Sequence, residues 1–189
     1  MIAPVTMNRG VFLNASSKKK RRIIATDSDY RYPGRVPKSD MINVSHGTIV
    51  MNEEIGRCAL LDRIYSRIVI FDGHGRKMHV LRTRNLEDQQ YDTDKEGRSV
   101  FLNSICQSFI DGCEYDNGFA ALYRPGIISP QSGNQSPLTY ILMLDWSGQI
   151  VKSFHISSSV QNVSLSRDGS RLYLFEEGAE GKRLATYEI

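Results

Sequence analysis

Apolar residues in this chain come in runs of four to six, rich in Ile, Val, Leu, Tyr and Phe, and turn residues separate the runs. No stretch sustains helical spacing, so the pattern predicts an all-β chain. Residues 140–145, Tyr-Ile-Leu-Met-Leu-Asp, are almost continuously apolar, which predicts a strand covered on both faces. Trp146-Ser147-Gly148-Gln149 follows as a tight turn, with Gly148 supplying a positive φ, and 150–154 returns as a strand. Residues 160–166 alternate, with Val163 and Leu165 on one face. The Asp168-Gly169 pair inside 167–170 predicts a type I′ hairpin turn, followed by a strand over 171–175. A Gly-containing turn over 177–181 leads to a last strand over 183–189.

The same order occurs earlier in the chain. Strands are predicted over 46–51, 57–62, 67–72 and 77–81, with turns over 52–56 and 73–76. Ile68-Val69-Ile70-Phe71-Asp72-x-x-Gly75 matches Ile141-Leu142-Met143-Leu144-Asp145-x-x-Gly148, and Leu184-Ala185-Thr186-Tyr187-Glu188 reads as a third copy. Four short antiparallel strands in about forty residues are one blade of a β-propeller. The long step from the first copy to the second is explained by polar insertions over 82–100 and 124–137, and two strands around Asp116-Asn117-Gly118 complete the middle blade. Near the N-terminus, 10–13 and 22–26 flank a polar turn and read as the hairpin of an incomplete blade; Tyr30-Arg31-Tyr32-Pro33 then leads through Pro37 to the next. The expectation is a single all-β domain over 1–189, a partial β-propeller of about three four-stranded antiparallel blades plus an incomplete N-terminal blade. The blades fall at 10–37 (incomplete), 44–81, 106–154 and 160–189.

Composition narrows the function classes. The chain has 189 residues, 40% hydrophobic and 24% charged, which suits a folded domain with a sizeable core. Its apolar runs fall well short of the roughly 20 residues of a membrane helix, so no membrane span is expected. The first seven residues lack the charged start and apolar stretch of a signal peptide. With 24 basic against 21 acidic residues, the net charge of +3 does not demand a nucleic-acid partner. The three cysteines, Cys58, Cys106 and Cys113, are an odd count, and the spacing of the last two is not a common zinc spacing. They are expected as small buried hydrophobes.

Candidate chemistry is sparse. The basic run Lys18, Lys19, Lys20, Arg21 and Arg22 is the sharpest local feature: a contact for phosphate in nucleic acid or at a membrane surface, a nuclear import signal, or a solvated hairpin turn. No aromatic residue is interleaved with it, which disfavours nucleic acid. Trp146 is either an anchor for a partner or a packing residue against the neighbouring blade. The acidic residues Glu87, Asp88, Asp92, Asp94 and Glu96 lack the spacing of a calcium loop and read as a solvated insertion. His74 and His79 lie an odd number of positions apart, unsuited to two ligands on one strand face, and His46 and His155 are isolated. No nucleophile elbow and no phosphate-binding glycine loop occurs, so no catalytic residue, cofactor or metal is expected.

Taken together, the segments 66–76, 119–123, 142–148, 166–173 and 187–189 resemble the C-terminal part of the TolB-like six-bladed β-propeller proteins of Bacteroidetes, over roughly residues 10–189. The resemblance implies a fold similar to periplasmic TolB and exported, lipoprotein-like relatives; it brings no catalytic residues with it, and localisation stays open. A six-bladed ring needs roughly 250 residues at about forty per blade. The chain is therefore expected to be either the C-terminal piece of a longer protein or a shortened version, with an open arc that self-associates or is marginally stable. The expected function is a non-enzymatic binding or scaffold module for a protein partner, with the insertions over 82–100 and 124–137 as contact surfaces. The alternatives are a propeller lyase or hydrolase with its site at the channel mouth, and nucleic-acid or anionic-surface binding through residues 18–22.

Overall fold

The computed structural model describes residues 47–63, 66–82, 95–96, 108–125, 138–157, 159–178 and 181–189, together with the backbone of short strands at 2–4, 12–14, 22–25, 91–93, 99–101, 105–106 and 127–128. Every regular element among these residues is a strand. The first three strands are β1 (Ile2–Pro4), β2 (Phe12–Asn14) and β3 (Arg22–Ala25), an antiparallel sheet in that order. Then come β4 (Gly47–Asn52), β5 (Arg57–Asp62), β6 (Arg67–Asp72) and β7 (Lys77–Arg82), a four-stranded meander. A small hairpin, β8 (Tyr91–Thr93) and β9 (Ser99–Phe101), lies within the first insertion. β10 (Ile105–Cys106) pairs with β13 (Ile127–Ile128), so Cys106 belongs to a short bridge rather than to the middle blade. The middle sheet is β11 (Phe109–Tyr115), β12 (Gly118–Tyr123), β14 (Thr139–Asp145) and β15 (Ile150–Ile156). The last sheet, β16 (Ser159–Leu165), β17 (Arg171–Gly178) and β18 (Gly181–Glu188), has three strands where four were expected.

The repeat inferred from sequence is visible in this order. The three copies of the apolar motif are β6, β14 and β18, each the third strand of its sheet. Two of them end in the same turn. The Asp72 Oδ1 accepts the backbone N–H of His74 and of Arg76, both at 2.9 Å. Asp145 Oδ1 accepts those of Ser147 at 2.8 Å and Gln149 at 3.0 Å. The short carboxylate closes its own turn, which is why Asp holds that place.

The 167–170 turn differs from expectation. Gly169 N donates to Ser166 O at 2.9 Å, and Gly169 has φ +73° while Asp168 is not left-handed. A type I′ turn needs two central left-handed residues. Here the glycine is instead the fourth residue of the turn. Ser166 Oγ accepts Arg171 N at 2.9 Å and donates to Asp168 Oδ1 at 2.6 Å, replacing the single Asp of the other two turns.

The sheets stack face to face. Residues of β4 to β6 (Val50, Ala59, Leu61, Ile68, Ile70) pack on Phe119, Ala121 and Leu144 of the middle sheet. The other face of that sheet, through Ala120, Leu122, Ile141 and Met143, packs on Val160, Val163, Leu165, Leu172 and Leu174. Period-two alternation therefore sends neighbouring residues of β12 and β14 into two different cores, as their continuous apolar character requires. β11, the first strand of the middle sheet, lies against β4 on one side and β16 on the other. This is a propeller-like arc: consecutive meander sheets whose first strands adjoin, with no closed ring among the described residues.

Gly112 on β11 marks the closest approach. A Cβ there would lie 2.3 Å from Leu61 Cδ1 and 2.7 Å from the Ala120 carbonyl oxygen. Leu61 is fully buried and Ala120 O is backbone, so neither can yield. Gly112→Ala is expected to lower the free energy of unfolding by about 2–3 kcal/mol, read from urea denaturation against the parent chain; an unchanged midpoint would mean that the first two sheets are not in contact at β11.

Candidate functional site

Three turns meet at one end of the stack: 53–56 between β4 and β5, 116–117 between β11 and β12, and 167–170 between β16 and β17. Each joins the first two strands of its sheet, so the adjoining first strands carry the turns to a common place. Between them lies a recess of about 550 Å³, lined by Asn52, Glu53 and Glu54 from the first sheet, Glu114, Tyr115 and Asp116 from the second, and Leu165 and Arg167 from the third.

Arg167 is its hub. Its Nη2 donates to Glu54 Oε1 at 2.7 Å and its Nε to Asp116 Oδ1 at 2.9 Å, while its carbonyl oxygen accepts Asp116 N at 2.8 Å. One guanidinium thus ties all three sheets together. These carboxylates raise the pKa of Arg167 further, first through the Asp116 hydrogen bond and then through Glu54. Four carboxylates face this single cation, so the recess is strongly negative. Glu114 records that field: partial burial raises its pKa, repulsion from Glu54 raises it more, and Arg167 pulls it back. Tyr115 forms part of the floor; burial and the charge of Asp145 raise its phenol pKa. Such a recess suits a cationic group, with hydrogen bonds from it to several carboxylates. It holds no histidine or cysteine.

The residues singled out from sequence lie elsewhere. Lys18, Lys19, Lys20 and Arg21 fall outside the described residues, as do Glu87, Asp88, Asp94 and His46; Arg22 opens β3. Trp146 is half-buried in the turn after β14, its ring 5.1 Å from that of Phe119, in the core between the first two sheets. His74, His79 and His155 are exposed in separate places, and the ring of His155 lies 5.4 Å from that of Tyr140. Burial pushes the thiols of Cys58 and Cys113 up to about 12, so neither is a nucleophile at neutral pH. None of the recess residues was singled out in advance. The one available signal was the acidic pair Glu53-Glu54 in a turn, and its counterparts lie up to 113 residues away.

No protein-family model matches the sequence, and no curated protein matches it. Among solved structures the chain is similar to a member of the DUF4221 family from Bacteroides vulgatus, with a TM-score of 0.47 and 11% identity, over 77% of this chain and 46% of that one. It is similar to a putative 6-phosphogluconolactonase from Bacteroides fragilis, with a TM-score of 0.36 and 12% identity, over 75% of this chain and 38% of that one. It is also similar to BamB from Moraxella catarrhalis, with a TM-score of 0.31 and 15% identity, over 76% of this chain and 43% of that one. The chain spans less than half the length of each of these three.

Two outcomes follow from the turn electrostatics. Arg167→Gln removes ion pairs that are largely exposed. It is expected to lower the melting midpoint by no more than about 3 °C, a loss that shrinks as salt is raised; a fall several times larger would mean that the hub holds the sheets together. Asp168 has its carboxyl lowered to about 2 by hydrogen bonds from Ser166 and Ser170. Because the folded value is depressed, its contribution is complete above the unfolded pKa of about 4 and is lost as pH falls toward 2. Unfolding midpoints measured from pH 5 to 2 should fall less steeply in Asp168→Asn than in the parent; parallel curves would show that the turn hydrogen bonds do not favour the anion.

Proposed function

We propose that the chain is a non-enzymatic binding module of the TolB-like propeller kind, and that its acidic recess takes a cationic segment of a protein partner. The observation that carries this reading is the imbalance at the recess: Arg167 satisfies Glu54 and Asp116, while Glu53 and Glu114 face the same space with no second cation among its lining residues. Burial and then repulsion from Glu54 raise Glu114, and a lysine or arginine side chain entering there would relieve the repulsion. Three rigid hairpins from three sheets hold the carboxylates in place, so binding needs little rearrangement.

An enzyme reading would give Glu114, with its raised pKa, the role of proton donor. Of the carboxylates that could serve it as a base, Glu54 and Asp116 are held in hydrogen bonds to Arg167. A nucleic-acid reading would rest on residues 18–22, and the recess would repel phosphate.

The test is fluorescence anisotropy with labelled deca-arginine and deca-glutamate peptides on the full chain. Saturable binding of the cationic peptide alone is expected, weakening steeply with salt. The triple change Glu53→Gln, Glu54→Gln and Glu114→Gln is expected to reduce affinity about tenfold or more. Equal binding by the triple variant would sink the proposal, as would binding of single-stranded nucleic acid that is lost when Lys18, Lys19 and Lys20 are neutralised.

A further inference from the structure

The last sheet is unlike its two neighbours. Among the described residues its neighbours have four strands and it has three, so the exposed edge strand is the third, β18, where in the other two it is the fourth, β7 and β15. Its outward face carries Lys182, Leu184, Thr186 and Glu188. The adjoining strand β17 contributes Arg171, Tyr173, Phe175 and Glu177 to the same face, since Arg171 pairs with Glu188, Tyr173 with Thr186, Phe175 with Leu184 and Glu177 with Lys182. Leu184 is 70% exposed and Phe175 38%. An open edge beside an apolar stripe is a template for another strand.

The charges on β18 say which strand. We infer that β18 pairs antiparallel with β18 of a second copy of this chain, about a two-fold axis at Ala185. In that register Lys182 lies opposite Glu188 of the second copy, Leu184 opposite its Thr186, and Ala185 opposite its Ala185. The rung across the four strands then reads Glu177, Lys182, Glu188 and Arg171, the last two from the second copy, so that charges alternate in sign along it. The symmetric rung repeats this at the other end. Between them, Phe175 and Leu184 of one copy meet Thr186 and Tyr173 of the other, and the apolar stripe becomes continuous.

Other registers lose this match. A two-fold axis normal to the sheet keeps each residue on its face, so the axis can move only in whole residues along β18. One step toward the N-terminus sets Lys182 against Thr186; one step toward the C-terminus sets Leu184 against Glu188. Only the axis at Ala185 forms both ion pairs. Within one copy, Glu188 already stands 3.9 Å from Arg171 Nη2, a contact loose enough to be shared with Lys182 of the partner copy. On the inner face, Arg183 Nε and Tyr187 Oη donate to the buried Glu176 at 3.0 and 2.8 Å, which anchors β18 to its own sheet. This pairing uses none of the recess residues and stands independently of the function proposed above.

The experiment is analytical ultracentrifugation of the full chain over roughly 1 to 200 µM. The parent is expected to dimerise, more weakly at high salt. Lys182→Glu alone and Glu188→Lys alone each turn two attractions into two repulsions and should raise the dimer dissociation constant about tenfold. The double variant Lys182→Glu with Glu188→Lys restores opposite signs and should return it to the parent value. All four positions in the two copies are exposed, and circular dichroism with thermal melting confirms that each variant folds. A chain that stays monomeric throughout would overturn the proposal and make Lys182 and Glu188 guards against edge pairing. A dimer indifferent to the single reversals, or one not rescued by the double variant, would overturn the register and place the interface elsewhere. The triple recess variant should leave the dimer constant unchanged, which separates this result from that of the peptide assay.

Discussion

Everything in this stack depends on β11 fitting between two other first strands. The dipeptide Asp111-Gly112 shows how it does so. Gly112 lacks the side chain that would collide with Leu61 of the first sheet. Asp111 reaches the opposite way: its Oδ2 accepts the Val163 N–H at 3.0 Å and the Asn162 side-chain amide at 3.1 Å on β16. β16 is the edge of its own sheet, and its register shifts between Val160 and Asn162. The carboxylate therefore takes up an N–H that no strand supplies an acceptor for. Arg124 adds a second tie, donating from Nη2 to Val160 O at 2.9 Å. Polar contact reinforces apolar contact at both junctions: between the first and middle sheets, Ser108 N donates to Arg63 O at 3.0 Å and Ser66 Oγ bonds Ser108 Oγ.

The recess is a consequence of that packing. Once the first strands adjoin, the three turns that follow them must crowd together, and whatever charges they carry act on one another. Acidic residues in these turns are harmless in water one at a time. Brought together they add to the burial that raises the pKa of Glu114, and two of them share Arg167 as a common counter-ion. The binding chemistry thus arises at the meeting of three hairpins rather than within any one.

The open end of the stack obeys the same logic with the opposite result. The first and middle sheets have apolar residues on both faces and are covered on both. The last sheet turns Leu172, Leu174 and Val163 inward and leaves mostly polar or hydroxyl-bearing residues outward, with Phe175 and Leu184 as exceptions. Its buried Glu176 is compensated by Arg183 and Tyr187 from the edge strand itself. The edge is thereby held in strand geometry with no fourth strand beside it among the described residues.

The local sequence determined the strands and most of the turns, because their causes are local. Continuous apolar runs specified β6 and β14 as strands buried on both sides, alternation specified β16, and Asp-x-x-Gly specified the turns at Asp72 and Asp145, where a carboxylate two bonds from the backbone closes the loop. The repeat showed through because β6 and β14 solve the same problem, an inner strand closed by an Asp turn; the third copy, β18, keeps the position in its sheet and is exposed. The reading failed where a neighbouring side chain competed for the turn, where the pattern was too short, and where the cause was not local. The type I′ turn at Asp168-Gly169 gave way to one stabilised by Ser166; β1 is three residues long and includes a proline, too little pattern to register; and Cys106 pairs across the second insertion instead of joining β11. The acidic recess was illegible for the same reason at a larger scale. Glu54, Asp116 and Arg167 lie on three different hairpins, and no periodicity links residues that meet only after three sheets have packed; their proximity, and the shifts in acidity that follow, belong to the tertiary structure alone.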